Sequence, residues 1–359
     1  MSKSNIVHDK IVSRFLKAQN RLVLQSSDMS LETIAKMVSS DAIDIRPKYQ
    51  RRERWGTDRQ TALIESFLLN IPIPPVYLSE DDFGVYSVID GKQRITAIAS
   101  FLNDGLRLQG LETFKELDGF TFANLPGELK NALRVRPYLR VVTLLKQSDP
   151  QLKYEVFTRL NKGGEPLNSQ EIRNVIFRGN LNDTVVKLAK NGFLCRQLKI
   201  KNEKSAAYQK MQDVEFVLRF LTFQNIWTNF SGDYRRSMDK FMSKNQDCSD
   251  SQIHKLSKLF LKSINGCEKI WGDAAFKRPQ ATGWRDQMLA GMYDAQMIAI
   301  SELDEDTLSR AFRRRKQIVR STREAFDDPK FEDAVRTATN TPAKLELRVN
   351  RIVDLLTRA

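Results

Sequence analysis

Val85-Tyr86-Ser87-Val88-Ile89-Asp90-Gly91-Lys92-Gln93-Arg94-Ile95 decides the reading of this chain. The first five residues are β-branched, aromatic or small and fit a buried strand, and Asp90-Gly91 breaks it. Ile95 to Phe101 then carries a helical pattern, so the order is strand, tight turn, helix, with Asp90 to Arg94 at the joint. Such a joint presents backbone N–H groups and the positive end of a helix dipole, an arrangement that suits phosphate. Arg94 can add a forked grip on phosphate oxygens, Gln93 can orient water, and Asp90 can hold Mg²⁺ or accept a proton. The plain alternative is a common Asp-Gly turn with Arg94 paired to a nearby carboxylate.

Outward from the joint, strand and helix signals alternate. Ser30 reads as the N-cap of a helix with Thr33 at the third position, Ala42 to Ile45 as a short strand stopped before Pro47, and Thr57 to Asn70 as a helix. Ile71-Pro72-Ile73-Pro74-Pro75 feeds a strand at Val76 to Ser79, and Glu80 to Gly84 reads as a hairpin-like connection. A strand at Tyr138 to Leu145 leads to a helix at Gln151 to Leu160, and Asn168 with Glu171 marks a capping-box-like start of another. From Asp213 onward strand signals vanish; 214–224, 249–271, 284–300, 307–326 and 342–357 are helical in pattern. The expected architecture is α+β, with a mixed domain over 1–198, a polar linker over 199–210 and an all-helical domain over 211–359.

Composition narrows the chemistry. The 359 residues include 58 Lys and Arg against 44 Asp and Glu, a formal charge of +14 that favours polyanionic partners, DNA among them. Cys195, Cys248 and Cys267 form no CxxC pair, which argues against a disulfide framework or a zinc site and predicts buried thiols. His8 and His254 stand alone, so zinc hydrolase and HNH-nuclease chemistry lack their ligands, and His254 reads as a surface or packing residue. No apolar run reaches the ~20 residues of a membrane span, so a cytoplasmic protein without membrane partners is expected. Arg313, Arg314, Arg315, Lys316 and Arg320, with Arg323, lie on an expected helix whose charge suits either nucleic-acid phosphates or a solvated face beside Glu302, Asp304 and Glu305. Aromatics are sparse there, so base stacking is not indicated.

Several separated segments, in order, resemble the N-terminal domain of GmrSD-type restriction endonucleases. They are Pro47-x-Tyr49-Gln50-Arg51, Trp55, the 71–75 turn, Val88-Ile89-Asp90-Gly91-x-Gln93-Arg94 and Phe157-x-Arg159-Leu160-Asn161-x-Gly163-Gly164-x-Pro166-Leu167-Asn168. The resemblance covers about residues 30 to 180. It implies a ParB/sulfiredoxin-like fold, NTP and Mg²⁺ as cofactors, nucleotide hydrolysis at an Asp-Gly-Gln-Gln-Arg motif, and a role in defence against modified phage DNA. Carried over by position, Asp90, Gly91, Gln93 and Arg94 form the core, with Asp90 the metal ligand. Tyr49, Gln50 and Arg51 join it at one pocket, and Arg159 and Asn161 are polar candidates on a loop beside it. For Arg159 and Arg173, an ion pair with Glu171 or Glu165 is an equal alternative. Lys92 departs from the family's Gln, which strengthens ground-state grip and puts hydrolysis in question. With no HNH motif in the chain, DNA cleavage falls to a separate nuclease subunit. A non-catalytic DNA-binding or nucleotide-sensing subunit and a Mg²⁺-dependent nickase stay open as alternatives, as does homo-oligomerisation.

Overall fold

The computed structural model describes residues 21–45, 55–160 and 168–358, together with residues 8, 11–13, 15, 16 and 19. Tyr49, Gln50, Arg51 and Asn161 of the expected site lie outside the described residues. The chain divides into two compact units, Met1–Ile176 and Phe177–Ala359. The helices between residues 180 and 197, expected in the first domain, therefore count with the second.

The first unit is built on a mixed five-stranded sheet of β1 (Leu24–Ser30), β2 (Ile43–Asp44), β3 (Val76–Asp82), β4 (Val85–Asp90) and β5 (Tyr138–Leu144), in the order β1-β5-β3-β4-β2. β3 pairs antiparallel with β4, placing Tyr77 opposite Asp90, and parallel with β5, placing Val76 opposite Val141. β3 runs on to Asp82, beyond the expected end at Ser79, because Asp82 still pairs with Val85, so only Phe83 and Gly84 form the turn. Alternation along the strands gives each face its own core. Val76, Leu78, Val88, Leu139 and Val141 join Leu31, Ile34, Ile64, Ile95, Ile98 and Phe101, which come from α1 (Leu31–Ser39), α2 (Thr57–Leu68) and α3 (Lys92–Leu102). α4 (Gly127–Val135) adds Leu133 to that core. Ile89 and Leu144, of opposite parity, pack with Phe157, Ile172 and Val175 from α5 (Pro150–Leu160) and α6 (Ser169–Ile176).

Local chemistry sets several boundaries. Ser30 caps α1 by accepting the Thr33 N–H at 3.2 Å. At α6, Asn168 Oδ1 accepts the Glu171 N–H at 3.0 Å while Glu171 Oε2 accepts the Asn168 N–H at 2.6 Å, the reciprocal box its sequence suggested. On α2 the buried Glu65 carboxylate accepts the N–H groups of Glu112, Thr113 and Phe114, tying the irregular segment after α3 to the helix. Burial alone would raise the Glu65 pKa, but the three N–H donors outweigh it and hold the group below its usual range.

The second unit is helical: α7 (Asn180–Leu188), α8 (Gly192–Gln197), α9 (Ala206–Gln209), α10 (Gln212–Ile226), α11 (Tyr234–Asn245), α12 (Asp250–Trp271), α13 (Ala290–Glu302), α14 (Glu305–Arg313), α15 (Arg315–Glu324), α16 (Pro329–Arg336) and α17 (Pro342–Thr357). The expected linker holds α9, and Ser205 Oγ accepts the N–H groups of Lys201 and Asn202 just before it. α13 is buried at every position from Gly291 to Ile300, as befits a central helix. α12 comes close beside it at Gly266, where a Cβ atom would meet Ile300 Cγ2 at 2.7 Å. Asp294 of α13 accepts two hydrogen bonds from Arg219 of α10, at 2.7 and 2.8 Å, and one from Arg348 of α17 at 2.7 Å, all inside the core. Two sequence expectations are corrected in this unit. Residues 284–289 precede α13 rather than belonging to it, and the expected helix over 307–326 breaks at Arg314 into α14 and α15. No helix of the described residues is long and apolar enough to cross a membrane.

Candidate functional site

The joint between β4 and α3 has the expected order of strand, glycine and helix. Gly91 is the N-cap of α3 with φ 92° and ψ 13°, a left-handed conformation that costs a side chain ~1–2 kcal/mol. A Cβ atom there would also lie 2.3 Å from Val76 Cγ1 on the neighbouring strand, so space and backbone both call for glycine. Ile95 donates to the Gly91 carbonyl at 2.9 Å, the first bond of the helical ladder. The N–H groups of Lys92, Gln93 and Arg94 thus precede that ladder at the positive end of the helix.

Asp90 and Arg94 are bonded to each other. Arg94 Nη2 donates to Asp90 Oδ2 at 2.7 Å, and Nη1 donates to the Pro74 carbonyl at 3.2 Å, in the proline-rich turn before β3. The Arg94 side chain is 13% exposed and that of Asp90 is 42% exposed, so the guanidinium is seated in the fold while the carboxylate faces outward. Gln93 turns elsewhere: its Oε1 accepts the Trp55 N–H at 3.1 Å, and Gln60 Nε2 donates to the Trp55 carbonyl at 2.9 Å. Gln93 therefore fixes the backbone at the end of the segment that carries Tyr49, Gln50 and Arg51, a role its sequence context did not suggest. The two residues are 38 positions apart, beyond the reach of any local pattern.

Arg159 lies on the last turn of α5, exposed, with its guanidinium 3.5 Å from Glu155 one turn earlier. The Glu171 carboxylate caps α6. Arg173 is fully buried, with Nη1 donating to Gln170 Oε1 at 3.3 Å. Glu165 lies outside the described residues. Among the described residues no three His, Cys, Asp or Glu side chains cluster as a metal site. Cys248 and Cys267 are buried and Cys195 is half-buried; all three are free, and burial raises each thiol pKa. His254 is exposed on α12.

In the second unit, Arg313, Arg314, Arg315 and Lys316 are exposed at the break between α14 and α15, and Arg320 pairs with Glu324 at 2.9 Å.

The fold and the joint define an α+β domain with a left-handed glycine turn between its fourth strand and third helix, followed by a helical unit. Residues 34–178 match the family model of the GmrSD restriction endonuclease, N-terminal domain, so the first unit is a GmrSD-type N-terminal domain. The chain has no significant match among curated proteins or solved structures.

Proposed function

We propose that this protein is the NTP-binding and NTP-hydrolysing component of a restriction or phage-defence system, using nucleotide state to control engagement of DNA by a separate nuclease subunit. The family of the first unit supports the restriction setting. The observation that carries the nucleotide reading is the joint itself, where a left-handed glycine, the first amides of α3, a seated guanidinium and an outward carboxylate converge within five residues. The amides and Arg94 would bind phosphate oxygens, with Arg51 and Lys92 adding charge. Asp90, whose carboxylate is 42% exposed, is the residue that would hold Mg²⁺, an ion commonly held by one or two carboxylates together with substrate phosphate oxygens. When bound, it would neutralise charge developing on those oxygens. Gln93 acts here by holding the Trp55 backbone, in addition to any contact with water.

The test is phosphate release from ATP, GTP, CTP and UTP with Mg²⁺, with and without duplex DNA, by the wild-type chain and Asp90→Asn. Asparagine keeps an acceptor for Arg94 while removing the charge. Turnover lost in that variant, with an unchanged melting temperature, is the expected result; unchanged turnover would remove the joint from the mechanism. A second reading, a nucleotide-sensing subunit without turnover, is favoured by Lys92 in place of glutamine. Tight nucleotide binding without phosphate release in the wild-type chain would select it. The Mg²⁺-dependent nickase reading requires relaxation of supercoiled plasmid that disappears in Asp90→Asn.

A further inference from the structure

Between Arg310 and Arg323 the sequence carries seven cations and no carboxylate. The fold sorts them by what they already hold. Arg310 donates to Thr307 Oγ1 at 2.8 Å, Arg320 pairs with Glu324, and Arg323 donates to three carbonyls, those of Gln280 at 2.6 Å, Ala281 at 3.1 Å and Gly283 at 3.3 Å. The side chains of Arg313, Arg314, Arg315 and Lys316 are exposed and make no hydrogen bond or ion pair among the described residues. The exposed Lys269 of α12 brings a further charge to this break, its ammonium 5.0 Å from the centroid of the Phe312 ring.

Arg323 joins this surface to a second element. Residues 279–284 form a small turn, closed by a bridge between Pro279 and Trp284 and by the Gln280 N–H on the Gly283 carbonyl at 3.2 Å. Its tip, Gln280 to Gly283, is exposed, and so is Arg285 just beyond it. Lys316, Arg320 and Arg323 recur at helical spacing on one side of α15. The basic face therefore runs from the break to the turn, ~10 Å along the helix, or about three base-pair steps of duplex DNA.

We propose that this face is a binding surface for the phosphate backbone of duplex DNA, in which Arg313 to Lys316 with Lys269 make the main phosphate contacts. The turn at 279–285 adds a second contact through Arg285. Arg323 is a positioning residue that holds the turn to α15 by its carbonyls. Unpaired cations raise affinity for a polyanion at no cost of broken internal ion pairs, whereas Arg320 must first give up Glu324. The double strand is favoured because no large aromatic side chain is exposed among the described residues of this unit, leaving no platform for unstacked bases.

This inference deepens the DNA part of the proposed function and is independent of nucleotide chemistry at Asp90, because its test uses no nucleotide. Fluorescence anisotropy with a labelled duplex of about 20 base pairs, over a series of NaCl concentrations, gives affinity and salt slope for the full chain. Replacing the four cations together (R313Q, R314Q, R315Q and K316Q) should lower the slope by about 3 to 4 and weaken binding at low salt. An equal charge change at exposed Lys201, Lys204, Lys240 and Lys244 should lower the slope by less than about 1. Arg323→Gln should increase hydrogen exchange at residues 279–285 and weaken binding several-fold, with Arg323→Lys recovering part of the loss. A quadruple variant with the wild-type slope, or tighter binding of single-stranded RNA than of duplex DNA, would overturn the proposal.

Discussion

Replacing Gly91 with alanine tests the geometry on which the candidate site rests. Two independent costs arise. The backbone at φ 92° lies where a Cβ atom costs ~1–2 kcal/mol. That atom would stand 2.3 Å from Val76 Cγ1, an overlap that the sheet must relieve by moving β3 or α3, at a further ~1–3 kcal/mol. Gly91→Ala should therefore destabilise the first unit by about 2–5 kcal/mol. Hydrogen exchange of peptides from residues 55–101 across a urea series reads that loss in the first unit alone, free of any transition in the second. The paired variant Val76→Ala relieves the worst of the packing cost, although the Val76 Cβ atom, which alanine keeps, still lies 2.9 Å away. That substitution removes the clashing methyl group but leaves the backbone conformation, so Gly91→Ala should cost ~1–2 kcal/mol less in the Val76→Ala background than in the wild type. A loss below about 1 kcal/mol, or the same loss in both backgrounds, would refute the packing argument.

Further outcomes follow from buried polar groups and from the site. Asp294→Ala strands Arg219 and Arg348 in the core and should cost ~3–5 kcal/mol in thermal or urea unfolding of the second unit; a loss under ~1 kcal/mol would show that the triad is dispensable. Glu65, held below its usual pKa by three N–H donors, contributes stability above the ordinary glutamate range that is lost as pH falls through the lowered value. Glu65→Gln should therefore destabilise the first unit at neutral pH and flatten its acid dependence, read from urea midpoints over a pH series. Gln93→Glu keeps an acceptor for the Trp55 N–H and Gln93→Ala removes it. Nucleotide affinity retained in the first variant and lost in the second would assign Gln93 to positioning, whereas equal loss in both would assign its amide N–H groups to the ligand.

Much of the first unit was legible because its strands obey period two. Val88 and Ile89 are adjacent, yet each serves a different core, which is the signature of a strand covered on both faces. β1 escaped because Leu24-Gln25-Ser26-Ser27-Asp28-Met29-Ser30 is polar; as an edge strand it is fixed by its ladder to β5 rather than by apolar alternation. The break at Arg314 was hidden for a related reason, since arginine and lysine are good helix formers and no glycine or proline marks the stop. Asp294 and its two arginines lay beyond reach altogether, because sequence reading places charged residues in water and their partners are 75 and 54 positions away. At the joint, the glycine turn was readable from local chemistry, but the Trp55 contact of Gln93 was not.

The bond between Asp90 and Arg94 brings together two readings that the sequence left opposed. An arginine in a first helical turn can be a structural ion-pair partner or a phosphate ligand, and here the first condition prepares the second. Guanidinium carries five N–H donors, and the two hydrogen bonds to Asp90 and the Pro74 carbonyl leave three. Those bonds fix the plane of the fork, so a phosphate arriving at the joint need not order a long side chain, a saving of ~1 kcal/mol or more in rotamer entropy. Lysine at position 94 would keep the charge but could not span both anchors in a planar fork. Arg94→Lys should therefore weaken nucleotide binding while leaving net charge unchanged. Wild-type affinity in that variant, measured by titration calorimetry, would mean that charge alone matters at this position.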